Sequence, residues 1–200
     1  MNTIQIRNIT KAYNGVTALD HVSFSFEFGK IYGFLGRNGA GKSTLINIIA
    51  NRIFADSGEI LIDDLPATEN MAIHEKIFCM SEADLYDKDL KIKEHFKWIH
   101  RFYENFDLEK ALKISEQFHL NTNLKFKALS KGYQSIFKLT VALSLHVPYI
   151  IFDEPVLGLD ANHRELFYSL LLKEYENEER TFIIATHLIE EVANIIEEVI

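Results

Sequence analysis

The chain has 200 residues, 48% of them hydrophobic, which is enough for one well-packed domain with a small subdomain but not for two independent domains. Its formal net charge is -8. Duplex nucleic acid is bound through a basic surface, so we predict no nucleic-acid partner. The only cysteine, Cys79, lies in an apolar segment. No intrachain disulfide can therefore form, and an oxidising compartment gains no support.

Neither a leader nor a membrane span is predicted. The N-terminal segment alternates polar and apolar residues and lacks the apolar block of a signal peptide. The longest apolar stretch, Leu139 to Phe152, is interrupted by His146 and Pro148 and is shorter than the roughly 20 residues of a membrane helix. A membrane role would therefore come through a partner.

The first eighty residues predict strands and one buried helix. Alternating side chains at Thr3–Ile9 and Val22–Phe28 are typical of half-buried strands, which we expect to form an antiparallel edge. The continuous apolar run Ile31–Leu35 predicts a buried strand, and a glycine-rich turn separates it from a buried helix over Ser43–Ala50. Two further strands are predicted at Glu59–Ile62 and Ile77–Met80.

After residue 82 the composition changes to Lys, Glu and aromatic residues at helical spacing. This predicts a helical subdomain over residues 83–146, inserted between two parts of a core, residues 1–82 and 147–200. Its predicted helices are Ile92–Phe106, Leu108–Leu120 and Ile136–Leu145, with a polar turn at Gly132.

From residue 147 the chain returns to alternating strands and helices. The predicted strands are Tyr149–Phe152 and Thr181–Ala185, and the predicted helices are Asn162–Tyr175 and Leu188–Ile196. Strands that alternate with helices imply a parallel sheet with right-handed crossovers.

The strongest motif lies between a predicted strand and a predicted helix and satisfies G-x-x-x-x-G-K-[ST]. Its glycines let backbone N–H groups surround phosphate oxygens, and the helix N-terminus adds the positive end of its dipole. Lys42 is predicted to reach the β- and γ-phosphates and Ser43 to ligate magnesium. The motif therefore predicts a phosphate cradle formed by Gly36, Arg37, Asn38, Gly39, Ala40, Gly41, Lys42, Ser43 and Thr44.

The second motif is a buried strand that ends in two acids, Asp153 and Glu154. The carboxyl edge of a parallel sheet is where ligands bind. We expect Asp153 to hold magnesium and Glu154 to accept a proton from the water that attacks the γ-phosphate. Alone, such a strand end is more often merely solvated, and the phosphate loop upstream favours the catalytic role.

With the landmarks that follow in order, these motifs resemble the nucleotide-binding domain of ABC transporters over nearly the whole chain. The resemblance implies an α/β fold, with a P-loop (RecA-like) parallel core, an antiparallel N-terminal β edge and an inserted α-helical subdomain. It implies a single ATPase domain over residues 1–200.

Two of the landmarks precede the acidic strand in the chain. Tyr13 resembles the aromatic residue that stacks on adenine, although such a residue can equally belong to the core. The segment 129–134, LSKGYQ, resembles the family signature LSGGQ. The resemblance implies that Ser130 and Gly132 touch the γ-phosphate of ATP bound across a dimer interface.

Two further landmarks follow the acidic strand. Residues 157–160, LGLD, resemble the D-loop that links the two ATP sites through Asp160. His187 follows a predicted strand and resembles the switch histidine that contacts the γ-phosphate. The other histidines show no paired spacing of a metal site.

The chain departs from the family pattern at two places. Family members usually carry Gln where Glu82 stands, and a carboxylate there can still ligate magnesium but adds negative charge near the triphosphate. In the signature, Lys131 replaces a glycine and Tyr133 replaces a glutamine, which shifts to Gln134. Lys131 either favours ATP electrostatically or points at solvent.

The resemblance implies an ATP-hydrolysing subunit that binds ATP and Mg²⁺ and pairs with an identical or related subunit. It would work on a transmembrane permease from the cytoplasmic face of the membrane. Two alternatives stay open: a soluble ABC ATPase that drives an assembly process, and a regulatory module that binds nucleotide without hydrolysis. Arg37 and Lys131 hint at bacterial exporter-type subunits, but the transported substrate and its direction are not encoded here.

Two further features leave alternatives. Val199 and Ile200 have the pattern of an opening strand, which indicates either a truncated chain or a reduced C-terminus. Trp98, Phe102 and Tyr103 belong either to the core or to a groove that receives a helix of the membrane partner.

Overall fold

A computed structural model describes residues 3–81, 83 and 85–200 of the chain. The strands are β1 (Thr3–Tyr13), β2 (Val16–Glu27), β3 (Ile31–Leu35), β4 (Ser57–Ile62), β5 (Leu65–Pro66), β6 (Ile77–Met80), β7 (Tyr149–Asp153), β8 (Thr181–Thr186) and β9 (Glu198–Val199). The helices are α1 (Lys42–Ile49), α2 (Met71–His74), α3 (Ile92–Phe102), α4 (Leu108–Gln117), α5 (Lys131–Leu143), α6 (Ala161–Asn177) and α7 (Ile189–Val192), with a 3-10 turn at Phe126–Ala128.

The chain forms two compact units. The core unit comprises the chain up to Cys79, Val147–Asp153 and Glu179–Ile200, and the helical unit comprises Met80–His146 and Glu154–Glu178. The sequence placed residues 154–178 in the core, whereas their contacts group them with the helical unit because α6 packs against α5. That the 200 residues form one ATPase domain stays a prediction.

Two sheets build the core unit, as predicted. One has the strand order β2-β1-β4-β5, and β1 runs antiparallel to both of its neighbours. The other has the order β6-β7-β8-β3-β9, and its pairs β7/β8, β8/β3 and β3/β9 are parallel. Residues of α1 join both sheets in one hydrophobic cluster, which includes Ile4, Phe26, Leu45, Ile62 and Ile151.

The register of the parallel strands brings three strand ends to the same edge. Leu35 of β3 pairs with Thr186 of β8, and Asp153 of β7 pairs with Ala185. The residues that follow these strands therefore leave the sheet side by side.

The helical unit encloses an aromatic core of its own. The rings of Phe96, Phe126 and Phe137 are buried, and the centroid of Phe137 lies 5.5 Å from Phe96 and 5.6 Å from Phe126. The described part of the chain contains no helix that is both long enough and apolar enough to span a bilayer.

Several predicted helices have different limits in the structure, and two of these differences have a clear cause. The prediction that α5 begins at Ile136 after a turn at Gly132 is wrong, because Ser130 caps the helix by accepting a hydrogen bond from the Tyr133 N–H at 3.3 Å. Gly132 therefore lies in the first turn. The helix predicted over Leu188–Ile196 ends at Val192, because the chain soon approaches β3 and continues as β9. The Glu197 N–H, directly before β9, donates to the Ile31 carbonyl at 2.9 Å.

A chain of hydrogen bonds that begins at the buried Tyr149 joins the two sheets of the core unit. The hydroxyl of Tyr149 donates to Oδ1 of Asp63 at 2.8 Å, and Lys76 Nζ lies 2.6 Å from Oδ2 of the same carboxylate. Burial, and after it the bond to Asp63, raise the pKa of the Tyr149 hydroxyl above its ordinary value of about 10.

We predict that Tyr149→Phe lowers the free energy of unfolding by about 1–2 kcal/mol at pH 8, because Asp63 loses a buried donor. In the wild-type protein this hydroxyl ionises at lower pH in the unfolded chain than in the folded one, so the free energy of unfolding falls as pH rises above about 10. The variant has no hydroxyl at this position and should lack this part of the pH dependence. Urea unfolding of both proteins at pH 8 and at a pH above about 10 measures the two effects. The control Tyr103→Phe, at an exposed position, should stay within about 0.5 kcal/mol of wild type; equal effects of the two substitutions would contradict the prediction.

Candidate nucleotide-binding site

Residues 36–44 form the predicted loop between β3 and α1. The Ala40 N–H donates to the Arg37 carbonyl at 3.1 Å, which closes a turn, and the Leu45 N–H donates to the Gly41 carbonyl at 2.9 Å, which opens the helix. Arg37, Asn38, Gly39 and Ala40 are exposed. The N-terminal end of α1 and its free N–H groups thus face the space at the sheet edge.

Gly41 is required by the shape of this loop. Its φ is 90°, in the left-handed region, and a Cβ on it would lie 2.6 Å from the carbonyl oxygen of Ala18 in β2. The β1/β2 hairpin therefore presses directly against the loop, and only glycine fits between them.

Lys42 is the first residue of α1 and is only 7% exposed. Its Nζ donates to the Gly36 carbonyl at 2.5 Å and to the Arg37 carbonyl at 3.3 Å. The ammonium thus lies against the backbone of its own phosphate loop. A phosphate oxygen offers the same ammonium a charged acceptor in place of these carbonyls, so the loop fits a nucleotide phosphate.

Ser43 and Asp153 come together across the edge of the parallel sheet. The Ser43 hydroxyl donates to Oδ1 of Asp153 at 3.2 Å, and the Asp153 side chain is buried at the end of β7. A hydroxyl and a carboxylate are the oxygen donors that Mg²⁺ prefers. The described residues contain no cluster of three or more His, Cys, Asp or Glu side chains that would hold a metal unaided. Ser43 and Asp153 are the residues that would hold a magnesium ion.

Glu154 follows Asp153 directly and has a φ of 50°. Most described non-glycine residues with positive φ are Asn, Asp or His, whose short side chains tolerate this conformation, and Glu69 is the other glutamate among them. Such a conformation costs of the order of 1 kcal/mol and is frequent at functional sites.

The remaining predicted residues of the core unit lie on neighbouring elements. His187 follows β8, two residues after the register partner of Asp153. Tyr13 ends β1 in the hairpin that contacts the loop; its ring is partly exposed, with Lys11 Nζ 5.6 Å from the ring centroid. Glu82 lies outside the described residues, so its part in the site stays a prediction.

Ser130, Gly132 and Asp160 come together in the helical unit. Asp160 caps α6 by accepting from the His163 N–H at 2.9 Å, as Ser130 caps α5. A Cβ on Gly132 would lie 2.8 Å from the Gly158 carbonyl oxygen, so the signature helix and the 157–160 segment are in close contact. Both segments line a cavity of about 230 Å³.

Two side chains of this cavity were not identified as functional from the sequence. Tyr133 and His163 line it, with ring centroids 5.8 Å apart, and His163 Nδ1 lies 2.8 Å from Oδ2 of Asp160. The backbone N–H of His163, followed by its ring, holds the pKa of Asp160 below its usual range. The spacing of Asp160 and His163, which are three residues apart, is the sequence signal that could have identified this pair.

The shifted glutamine of the signature has a structural role. The side-chain amide of Gln134 donates to the Leu129 carbonyl at 3.3 Å and to the Phe126 carbonyl at 3.4 Å. It therefore ties the 3-10 turn to the start of α5, and Tyr133 rather than Gln134 lines the cavity.

A parallel sheet, a glycine-rich phosphate loop at a helix N-terminus and a Ser–Asp pair at the sheet edge define a P-loop nucleotide-binding protein. Residues 19–157 match the family model described as ABC transporter. The chain belongs to the ATP-binding proteins of the ABC transporter family.

Relatives in Bacillus subtilis (strain 168) are similar over most of this chain. The ABC transporter ATP-binding protein YtrB is 31% identical over 190 residues, which cover 94% of this chain and 65% of YtrB. The petrobactin import ATP-binding protein YclP is 29% identical over 92% of this chain and 77% of its own. The chain thus spans slightly less than two thirds of YtrB.

Solved structures of ABC cassettes have the same fold. The dimeric bacterial ABC transporter cassette MJ0796 superposes with a TM-score of 0.88 at 27% identity, covering 98% of this chain and 93% of that one. A post-hydrolysis state of MJ0796 bound to ADP and Pi gives a TM-score of 0.84 at 26% identity, covering 94% and 89%. The predicted fold class is confirmed.

We predict that Gly41→Ala destabilises the nucleotide-free protein by about 1–3 kcal/mol more than Gly39→Ala does. Both positions have φ above 80°, so both variants carry the same backbone penalty of about 1–2 kcal/mol. Only at position 41 does the added methyl group meet backbone, since a Cβ at position 39 has no atom within 4 Å. Urea unfolding without nucleotide measures the difference, and equal losses would show that β2 does not press on the loop.

Proposed function

We propose that this chain is the ATP-hydrolysing subunit of an ABC transporter. In this role it pairs with an identical or related subunit around two ATP molecules and drives a separate transmembrane permease from the cytoplasmic side. The observation that carries the proposal is the position of Lys42, Ser43 and Asp153 together at the carboxyl edge of the parallel sheet.

The residues of that edge have distinct roles in the proposed reaction. The loop N–H groups and Lys42 hold the phosphates and offset their charge. Magnesium held by Ser43 and Asp153 would supply further neutralisation of the β- and γ-phosphate oxygens. Tyr13 offers a partly exposed ring for the adenine base.

In this proposal Glu154 acts as the general base. Its carboxylate takes one proton from water while the water oxygen bonds to the γ-phosphorus and the bond to the bridging oxygen breaks, which leaves ADP and phosphate. Placement of this carboxylate directly after the magnesium-binding Asp153 supports the role, and so does its left-handed backbone. His187 would hold the γ-phosphate from the neighbouring strand.

The cluster of Ser130, Gly132 and Asp160 in the helical unit supports the proposed dimer. Ser130 lies at the N-terminal end of the 13-residue helix α5, whose first-turn N–H groups and dipole favour an anion. The adjacent 230 Å³ cavity leaves this helix end open to a ligand. A second subunit would present its ATP to this end, as the dimeric relative MJ0796 suggests.

An exposed patch on α3 supports the membrane partner. Trp98 is 48% exposed and Phe102 72% exposed, and their rings stack 5.7 Å apart. The Arg101 guanidinium lies 5.8 Å from the Trp98 ring, and Lys97 is exposed beside it. Of the two readings that the sequence allowed for these aromatics, exposure favours a docking surface, which suits an amphipathic partner helix with acidic side chains.

We predict that Glu154→Gln keeps ATP binding but lowers steady-state phosphate release about 10²-fold or more, because the amide cannot accept the proton. Equilibrium dialysis with ATP and a phosphate-release assay measure the two properties. Lys42→Ala, which should lose binding, and Glu109→Gln, at an exposed position with an ordinary surface carboxylate, are the controls. Full turnover by purified Glu154→Gln would remove this residue from the mechanism.

We predict that the native protein, purified in mild detergent, retains a multispanning membrane protein in matching amount, and that Trp98→Ala/Phe102→Ala reduces this recovery about tenfold. Quantitative mass spectrometry of the complexes measures it. Phe54→Ala removes an equally exposed aromatic from the core unit and should change nothing. Recovery of soluble partners alone would favour the assembly-ATPase alternative.

A further inference from the structure

One carboxylate of the core unit continues the contact between β1 and β4 past their last register pair. That pair is Thr10 with Ser57, and the Asp56 N–H donates to the Thr10 carbonyl at 2.9 Å. Oδ2 of Asp56 accepts from the Ala12 N–H at 2.8 Å, and Oδ1 lies 2.7 Å from Lys11 Nζ. Lys11, and after it the Ala12 N–H, hold the pKa of the Asp56 carboxyl below its ordinary value. The carboxylate is therefore ionised at neutral pH and holds the end of β1 through two donors.

The end of β1 lies opposite a bulge in β2. Between the register partners of Lys11 and Ala12, β2 contains one additional residue, Ala18. Bulges are frequent next to functional sites, because the extra residue bends the strand and changes where its groups point. The carbonyl oxygen of Ala18 is the atom that a Cβ on Gly41 would approach to 2.6 Å. The segment held by the carboxylate is thus separated from the phosphate loop by one strand.

The ammonium of Lys11 also lies over an aromatic ring. Its Nζ is 5.6 Å from the ring centroid of Tyr13, within the roughly 6 Å of a cation–π interaction. Only 17% of the Lys11 side chain is exposed, whereas Tyr13 is 45% exposed. The two-residue turn of Asn14 and Gly15, both with positive φ, follows the ring directly. The ring is therefore held by a cation and a tight turn while part of its surface stays open to a ligand.

We propose that Lys11 and Asp56 are positioning residues that orient the Tyr13 ring for stacking on the base of the nucleotide. The inference rests on the proposed function, in that it takes Tyr13 as the ring that contacts the base. A ring already held in its bound orientation loses less conformational entropy on binding, so the affinity gained through the ring depends on the ammonium. An ion pair with an exposed carboxylate contributes little to stability, so its loss should change nucleotide binding more than folding.

The decisive substitutions act on the ion pair and leave the ring in place. Lys11→Met removes the cation but keeps an unbranched side chain, whereas Lys11→Arg retains a cation that can lie over the ring and pair with the carboxylate. Asp56→Asn keeps an acceptor oxygen but removes the charge that holds the ammonium. Arg7→Met is the matched control, because Arg7 Nη1 pairs with Glu59 at 3.2 Å between the same two strands, farther from the hairpin turn.

The test is a double-mutant cycle on the affinity for ADP, measured by equilibrium dialysis in the presence of magnesium. ADP carries the same base as ATP but is not consumed in the proposed reaction. We expect Lys11→Met to raise the Kd about threefold to tenfold when Tyr13 is present, and by less than about twofold in the Tyr13→Ala background. Asp56→Asn should follow the same pattern. Lys11→Arg and Arg7→Met should stay within about twofold of wild type.

Three results would overturn the inference. Equal losses in the two backgrounds would show that Lys11 acts on the phosphates or on folding rather than through the ring. An equal loss in Arg7→Met would assign the effect to the sheet as a whole. Tyr13→Ala that binds ADP as tightly as wild type would show that the ring does not contact the base, and the proposed hydrolysis would be unaffected.

The proposed function can fail separately from this inference. Should Tyr13→Ala bind ADP too weakly to measure, Tyr13→Leu replaces it under the same criteria, since leucine keeps an apolar contact but has no ring to orient. Wild type that shows the expected cycle but releases no phosphate from ATP would support the inference and contradict the proposed hydrolysis. Wild type that binds no nucleotide would contradict both.

Discussion

The parallel pairing of β3, β7 and β8 is the constraint on which the site depends. Its register sets Leu35 beside Thr186 and Asp153 beside Ala185, so the phosphate loop, the acidic pair and His187 leave the sheet at one edge. A slip of one residue would turn Asp153 to the opposite face of the sheet. The buried apolar side chains of these strands fix the register, because nearly every one of them lies in the core.

Much of this could be predicted from the sequence because the signals are local. Gly41, Lys42 and Ser43 are adjacent in a motif whose spacing is set by a single turn, and Asp153 ends an uninterrupted apolar strand. The start of α5 could not be predicted in this way. Its polar first turn resembles a loop, and in the structure the Ser130 hydroxyl caps that turn and the Ser130 carbonyl accepts from the Gln134 N–H. The hydrogen bonds of the buried Lys138 to the Ser81 and Ala83 carbonyls could not be predicted either, because these partners lie more than fifty residues away in the chain.

The residues of the candidate site divide between the two compact units. The phosphate loop, Asp153 and His187 belong to the core unit, while Ser130, Gly132 and Asp160 belong to the helical unit. Glu154 begins the stretch that joins the helical unit directly after the last residue of β7.

The most direct test of the role of the phosphate loop is a crystal structure of the chain grown with ATP and magnesium. We predict that the γ-phosphate lies within hydrogen-bonding distance of Lys42 Nζ, which leaves the Gly36 carbonyl, and that magnesium lies next to Ser43 and Asp153. A structure in which Lys42 stays on that carbonyl, with the nucleotide bound elsewhere, would contradict it.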